Sequence, residues 1–197
     1  MAGARSGRVR AFVAIEVGVP LDASRPARPE APDHLTIRFL GEVPESWLAR
    51  IAAGVREAVA PLAPFDLTLD GVGAFPDAAH PRVVWVGATF GRDETVALAR
   101  AVSEALARAG IPDEPEEFVP HATLFRVRSP RDRDRARRLL DGGEPAPIPR
   151  VVHVSEVLVK VSELTPQGPV HRTVARAPLT GTSSDGLSRS ASREGPT

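Results

Sequence analysis

Two short apolar runs in this chain, HLTIRFL and HATLFRV, carry the same four-residue pattern H-x-T-x: His34-Leu35-Thr36-Ile37 and His121-Ala122-Thr123-Leu124. Along a strand alternate side chains share a face. Each copy therefore sets an imidazole and a hydroxyl about 6–7 Å apart on one face. The residues between, Leu35 and Ile37 or Ala122 and Leu124, turn the other way into a core. Two such faces opposed would surround a phosphate-sized group with two proton carriers and two hydroxyl donors, the makings of an acid–base site for phosphoryl chemistry. Random placement of five His and ten Thr in 197 residues gives about a quarter of one H-x-T, and the chain has three. The third, His171-Arg172-Thr173-Val174, puts Arg172 where a core residue belongs and reads as a surface strand.

The motifs sit in a degenerate repeat. A first strand, Val9–Val17, precedes the Pro-rich stretch Gly18–Asp33, whose four prolines exclude a helix longer than about a turn. The first motif strand follows and is closed by Gly41. Leu48, Ile51, Val55, Val59 and Leu62 recur at helical steps through Pro44–Leu62. Phe65–Phe75 and Arg82–Phe90 read as strands, and Glu94–Ala109 as a helix capped by Asp93 and ended by Gly110. The acidic loop Pro112–Glu117 leads to the second motif strand. Pro130–Leu140 is a short Arg-rich helix, followed by a Gly/Pro linker. Val151–Val161 and Pro169–Ala177 pair about a turn at Pro166–Gly168. A tail poor in apolar residues begins at 180. The order strand–helix–strand, then strand–helix–strand, invites a pseudo-two-fold arrangement with the two motifs meeting at the axis.

Composition excludes more than it selects. There are 25 basic and 25 acidic residues, so nucleic acid would have to bind through a local patch. All basic residues but Lys160 are Arg, a skew that looks like codon bias. Without Cys there is no disulfide framework and no thiolate metal site. No apolar stretch approaches the roughly 18–20 residues of a membrane span, and cytoplasm is the default expectation.

HLTIRFLGEVPE, GVGAFP, PRVVWVG and VPHATLFRV, in this order, resemble the RNA 2′,3′-cyclic phosphodiesterases, also called 2′-5′ RNA ligases (LigT-like), of the 2H phosphoesterase superfamily. The closing LVKVSELTPQGPVHRTVARAPL is similar to that family's C-terminal hairpin. The likeness runs from about Val9 to Leu179. It implies an α+β fold of two pseudo-symmetric lobes of antiparallel β-sheet, helices outside and a central cleft, within one bilobal domain at 8–180 and a disordered tail at 181–197. It also implies His34 as general acid (proton donor), His121 as general base (proton acceptor), and phosphate binding by Thr36, Thr123 and Arg126. No metal or cofactor is implied. The expected partner is RNA with tRNA-like 2′,3′-cyclic phosphate ends, and the expected state is a monomer. Two departures stand out: the family has a long helix where this chain has Gly18–Asp33, and an aromatic near the position of His171.

On this reading His121 takes a proton from water while His34 protonates the leaving 3′-oxygen, giving a 2′-phosphate; reversal would make a 2′-5′ linkage. The residues alone leave which imidazole is acid and which base open. They also leave open a small cyclic nucleotide or 2′-5′ oligonucleotide as substrate, and a non-catalytic RNA-end binding module. A His-based metal site lacks carboxylate ligands near the motifs. His80 reads as solvated, His153 as ambiguous and Trp47 as a packing residue. Arg38 either lines the cleft or is a plain surface charge. The Arg cluster at 128–138 alternates with Asp132 and Asp134 and reads as a solvated helix face rather than an RNA patch. Trp85, Phe39 and Phe125 are aromatics that could stack a base or pack in the core.

Overall fold

Alternating apolar residues give eight strands, and three amphipathic runs give helices, in the computed structural model, which describes residues 7–18, 33–112, 118–144, 150–166 and 168–182. Most of the Pro-rich stretch, the acidic loop, the Gly/Pro linker and the expected tail lie outside the described residues. The elements are β1 (Arg8–Gly18), β2 (Asp33–Pro44), α1 (Leu48–Val59), β3 (Phe65–Phe75), β4 (Val83–Phe90), α2 (Arg92–Arg108), β5 (His121–Arg126), α3 (Pro130–Leu140), β6 (Arg150–Val154), β7 (Glu156–Thr165) and β8 (Gly168–Pro178). A 3₁₀ turn at Glu45–Trp47 leads into α1.

All eight strands join one antiparallel sheet in the order β6-β3-β4-β5-β2-β1-β7-β8. Its two halves, β6-β3-β4-β5 and β2-β1-β7-β8, meet where Leu35 pairs with Ala122. The two strands at the seam are therefore the two motif strands. Val13, Ile15, Leu35, Leu67, Val86 and Val159 turn to one side of the sheet and are buried beneath Ile51, Val55 and Val59 of α1 and Leu98, Val102 and Leu106 of α2. Burying side chains of this size contributes about 1.5–3 kcal/mol each, which fixes which face is core and leaves the other for the cleft.

Several local expectations change. The run Val151–Val161 is not one strand. Its inward positions switch phase at Ser155, from Val152 and Val154 to Val157, Val159 and Val161. The chain changes partner there: β6 lies on β3 at one edge of the sheet, and β7 crosses to β1 in the other half. Gly41 does not close β2. It takes φ 62° at a bulge opposite Ala11 and Phe12, and the strand runs on to Pro44. Residue Asp93 lies in the first turn of α2 rather than at its cap, which is Gly91.

Helix α3 starts as its sequence suggests, with Pro130 at its first position. A reciprocal Ser129–Asp132 box caps it, Asp132 N–H donating to Ser129 Oγ at 3.2 Å and Ser129 N–H to Asp132 Oδ2 at 3.0 Å. Its Ala136 and Leu139 form a second small core with Val84 and Phe125. Of the aromatics weighed for base stacking, Phe125 is thus a core residue, with the Arg135 guanidinium 4.7 Å from its ring centroid. Arg135 and Arg138 also pair with Glu144 at 3.6 and 3.5 Å, as a solvated helix face would. Beyond β8, the Thr180 and Gly181 amides donate to the Ala60 and Leu62 carbonyls, tying the start of the tail to the end of α1.

Candidate active site

The register at the seam builds the site. With Leu35 opposite Ala122 in an antiparallel pair, His34 stands opposite Thr123 and Thr36 opposite His121. Directly opposed residues are about 4.5–5.5 Å apart at Cα, and next-but-one neighbours about 6–7 Å. Two imidazoles and two hydroxyls thus occupy the corners of a small parallelogram, each His diagonal to the other. Leu35 and Ala122, both fully buried, anchor the centre from below.

Each motif ends in a β-bulge at its fourth residue. Ile37 has no single partner between the pairs Ala14–Thr36 and Val13–Arg38, nor has Leu124 between Trp85–Thr123 and Val84–Phe125. One extra residue reverses the alternation that follows. Arg38 consequently turns toward the helices and Phe39 toward the cleft; Phe125 turns into the small core and Arg126 toward the cleft. Arg38 is neither of the two things its sequence suggested. It is buried, donating to the carbonyls of Ser103 at 3.0 Å and Pro112 at 2.6 Å, and it braces the end of α2. Phe39 is 72% exposed, its ring 6.3 Å from that of Phe12.

The surroundings of the two imidazoles differ. His121 is packed against Phe75 at 4.9 Å and Trp85 at 5.8 Å between ring centroids. Its Nδ1 lies 2.7 Å from the Val119 carbonyl, which can only accept, so Nδ1 carries the hydrogen and Nε2 keeps the lone pair. Burial pushes the His121 pKa below the ordinary 6.5, partly opposed by that backbone bond. A neutral imidazole with a free Nε2 is a base at neutral pH. Trp85 reaches this place because Gly73 and Gly87 lack side chains: a Cβ on Gly73 would lie 2.2 Å from the indole, one on Gly87 3.0 Å.

His34 sits 5.0 Å from Phe12 and 5.2 Å from His171. Below them Lys160, buried at 2% exposure, reaches Glu16 at 3.1 Å, and Glu16 stands opposite His34 in the β1–β2 register. The third H-x-T-x strand is the sheet edge, with Arg172 exposed as its polarity suggested, but its His171 faces the cleft, a place the reading as a surface strand did not give it. Sequence reading passes over Phe12, assigns His171 to a surface strand and takes Lys160 only as a mark of codon bias. The usable signal was Lys160 itself, the one lysine the chain retains among its basic residues. His153 and His80 lie elsewhere, bonded at the exposed surface to Asp66 and Asp77. No cluster of metal-ligating side chains occurs among the described residues. Trp47 is a packing residue, half-buried against the main core with Arg50 over its ring.

A family model described as the 2′-5′ RNA ligase superfamily matches residues 8–161. The chain belongs to this superfamily. One relative is the RNA 2′,3′-cyclic phosphodiesterase of Methanothermobacter thermautotrophicus, 37% identical over 70% of this chain and 73% of the relative. That of Aeropyrum pernix is 38% identical over 72% and 78%. A crystal structure of TT0787 from Thermus thermophilus has 29% identity and a TM-score of 0.65, covering 87% of this chain and 98% of the other. The Escherichia coli LigT structure with 3′-AMP, 23% identical over 88% and 99% with a TM-score of 0.64, shares the fold. The α+β, two-half antiparallel architecture is that of 2H phosphoesterases, and the superfamily member described here is an enzyme of the phosphodiesterase type. No helix among the described residues is long and apolar enough to cross a membrane.

Proposed function

We propose that this enzyme hydrolyses RNA 2′,3′-cyclic phosphate ends, of the kind found on tRNA fragments, to 2′-phosphates without a metal, and that residues 8–180 act as one two-lobed, monomeric, cytoplasmic catalyst. The observation that carries this is the antiparallel juxtaposition of two H-x-T-x strands in which His121 is held neutral with Nε2 free. Water attacks phosphorus and gives its proton to Nε2 of His121. The P–O3′ bond breaks, and His34 protonates the departing 3′-oxygen. The phosphate remains on the 2′-oxygen. Each proton transfer is worth about 10²–10⁴-fold in rate.

Thr36 and Thr123 donate to the non-bridging oxygens from opposite corners, and Arg126, brought to the cleft face by the Leu124 bulge, adds positive charge as the phosphorane forms. The Ile37 bulge places Phe39 at the equivalent position of the other strand, where its exposed ring suits the terminal base. The same groups run in reverse join a 5′-hydroxyl to the cyclic end in a 2′-5′ linkage, a reaction that water at about 55 M suppresses. The names carried by the relatives support the RNA substrate. The test is turnover of an oligonucleotide with a 2′,3′-cyclic end, in EDTA, by wild type, His34→Ala and His121→Ala. Conversion to a 2′-phosphate that falls by about 10²-fold or more in both variants is expected. Full activity in either variant, or none in wild type, would overturn the assignment.

A further inference from the structure

The third H-x-T-x copy is built like the other two. Its fourth residue, Val174, is a bulge between the pairs Lys160–Thr173 and Val159–Ala175, as Ile37 and Leu124 are in theirs. In all three the residue paired just past the bulge faces a valine: Val13, Val84 or Val159. Strand β8 lies three steps from β2 across β1 and β7, about 14 Å in a flat sheet at the usual strand spacing. Yet the His171 and His34 ring centroids are 5.2 Å apart. The half-sheet must curl, and these side chains meet over its concave face. Phe12, His34 and His171 form a closed triangle with centroids 5.0, 5.0 and 5.2 Å apart, and His171 meets the other two edge-on at 79° and 82°.

We propose that His171 is a positioning residue for His34, its ring edge and Phe12 together fixing the plane in which the His34 imidazole faces the cleft. The inference rests on His34 being the proton donor of the proposed reaction. Aromatic contacts of this geometry are worth about 0.5–1.5 kcal/mol each, enough to favour one ring orientation over its alternatives. Such a clamp works only while His171 is uncharged, since a second cation would repel a proton on His34. Burial first, then a charge on His34, then the Lys160 ammonium push the His171 pKa down to about 4. Its Nδ1 is buried without a hydrogen-bond partner, so a protonated ring would also bury an unsatisfied N–H. By register, the other charged groups on this face are Arg8, Arg10 and Glu16 of β1, Glu42 of β2, Glu156 of β7 and Arg176 of β8; Lys160 holds Glu16, Arg8 pairs with Glu42 and Arg176 with Glu156, while Arg10 stands opposite Ser162, the partner of His171.

The experiment compares wild type, His171→Ala and His171→Phe in kcat and KM from about pH 5.5 to 8, with imidazole proton titrations by NMR. A lost clamp lowers kcat of His171→Ala by about ten- to a hundred-fold, equally at every pH, with KM little changed. His171→Phe, which keeps a ring without a titrating nitrogen, restores most of the rate. In wild type the His171 resonance stays neutral to near pH 4 and shows cross-relaxation to the His34 ring. Unchanged kcat in His171→Ala overturns the proposal, as does a His171→Phe enzyme equally slow with an altered pH limb, or a His171 that titrates in the neutral range. If the Ala variant does not fold, the Phe variant and the wild-type titration decide. Should wild type turn over no cyclic phosphate, the proposed function falls, while the ring contact and the titration still judge the clamp.

Discussion

His34 and His121 come from one sequence pattern on adjacent strands, yet the two halves of the cleft surround them with different chemistry. Around His121 the neighbours are aromatic, and a backbone carbonyl selects its tautomer. Around His34 they include a phenyl ring, a second imidazole and a buried ammonium paired with a half-exposed carboxylate. A desolvated neutral ring is suited to take a proton. A ring beside a fixed pair of ionised groups sits where charge is already balanced. The difference teaches that, in the proposed reaction, the motif supplies the proton carriers and the neighbouring strands assign their roles.

The sharpest way to break the comparison is to remove the carriers. His34→Ala and His121→Ala should each lose about 10²–10⁴ in kcat, while circular dichroism and Tm stay near wild type. Equal losses at every pH would mean the two halves do not divide acid from base. A smaller effect is expected from the ion pair, which only the His34 half contains. Glu16→Ala leaves Lys160 buried and unpaired and should cost about 1–3 kcal/mol, reduced from the fully buried case because Glu16 is 44% exposed. Lys160→Met removes the charge and should cost less; urea melts of both variants check the order. On the other half, Gly73→Ala drives a methyl into Trp85 and should cost about 1–3 kcal/mol in the same melts, with a loss of kcat as His121 is displaced.

The smallest effect is a shift in pH dependence. The lowered His121 pKa places the acid limb of kcat/KM below 6.5. Trp85→Leu admits water beside the ring and should move that limb up toward 6.5. Stability follows the same sign. His121 and His171 titrate lower in the folded than in the unfolded chain, so the unfolded state binds more protons, and stability falls as pH drops from 6.5 toward about 4.

Much of this arrangement was legible in the residues. Alternation marked the strands, and the apolar steps in Leu48–Leu62 and Glu94–Ala109 marked the helices that cover the core. The paired motifs named the four corner groups. Arg38, Phe39 and Phe125 were harder to place, because strict alternation fails just past each H-x-T, where a bulge reverses it. A bulge of this kind leaves no glycine or proline at Ile37, Leu124 or Val174 to mark it. The split of Val151–Val161 at Ser155 did leave a trace, the change in phase of its valines, although a nearly unbroken β-branched run hides it. The nearness of His171 to His34 depends on sheet curl, which no local pattern encodes.

The crossing at Ser155 also orders events in time. During synthesis the half containing His121 has all of β3, β4, β5 and β6 once residue 154 has emerged, whereas β1 and β2 wait for β7 and β8. A nascent chain therefore displays both motifs long before the His34 side has its floor and far wall. Chains released after β6 should be inactive, which a product ending at 154 would show by lacking turnover. The β7–β8 hairpin thus acts as a completion mark, withholding activity until both of its strands have left the ribosome.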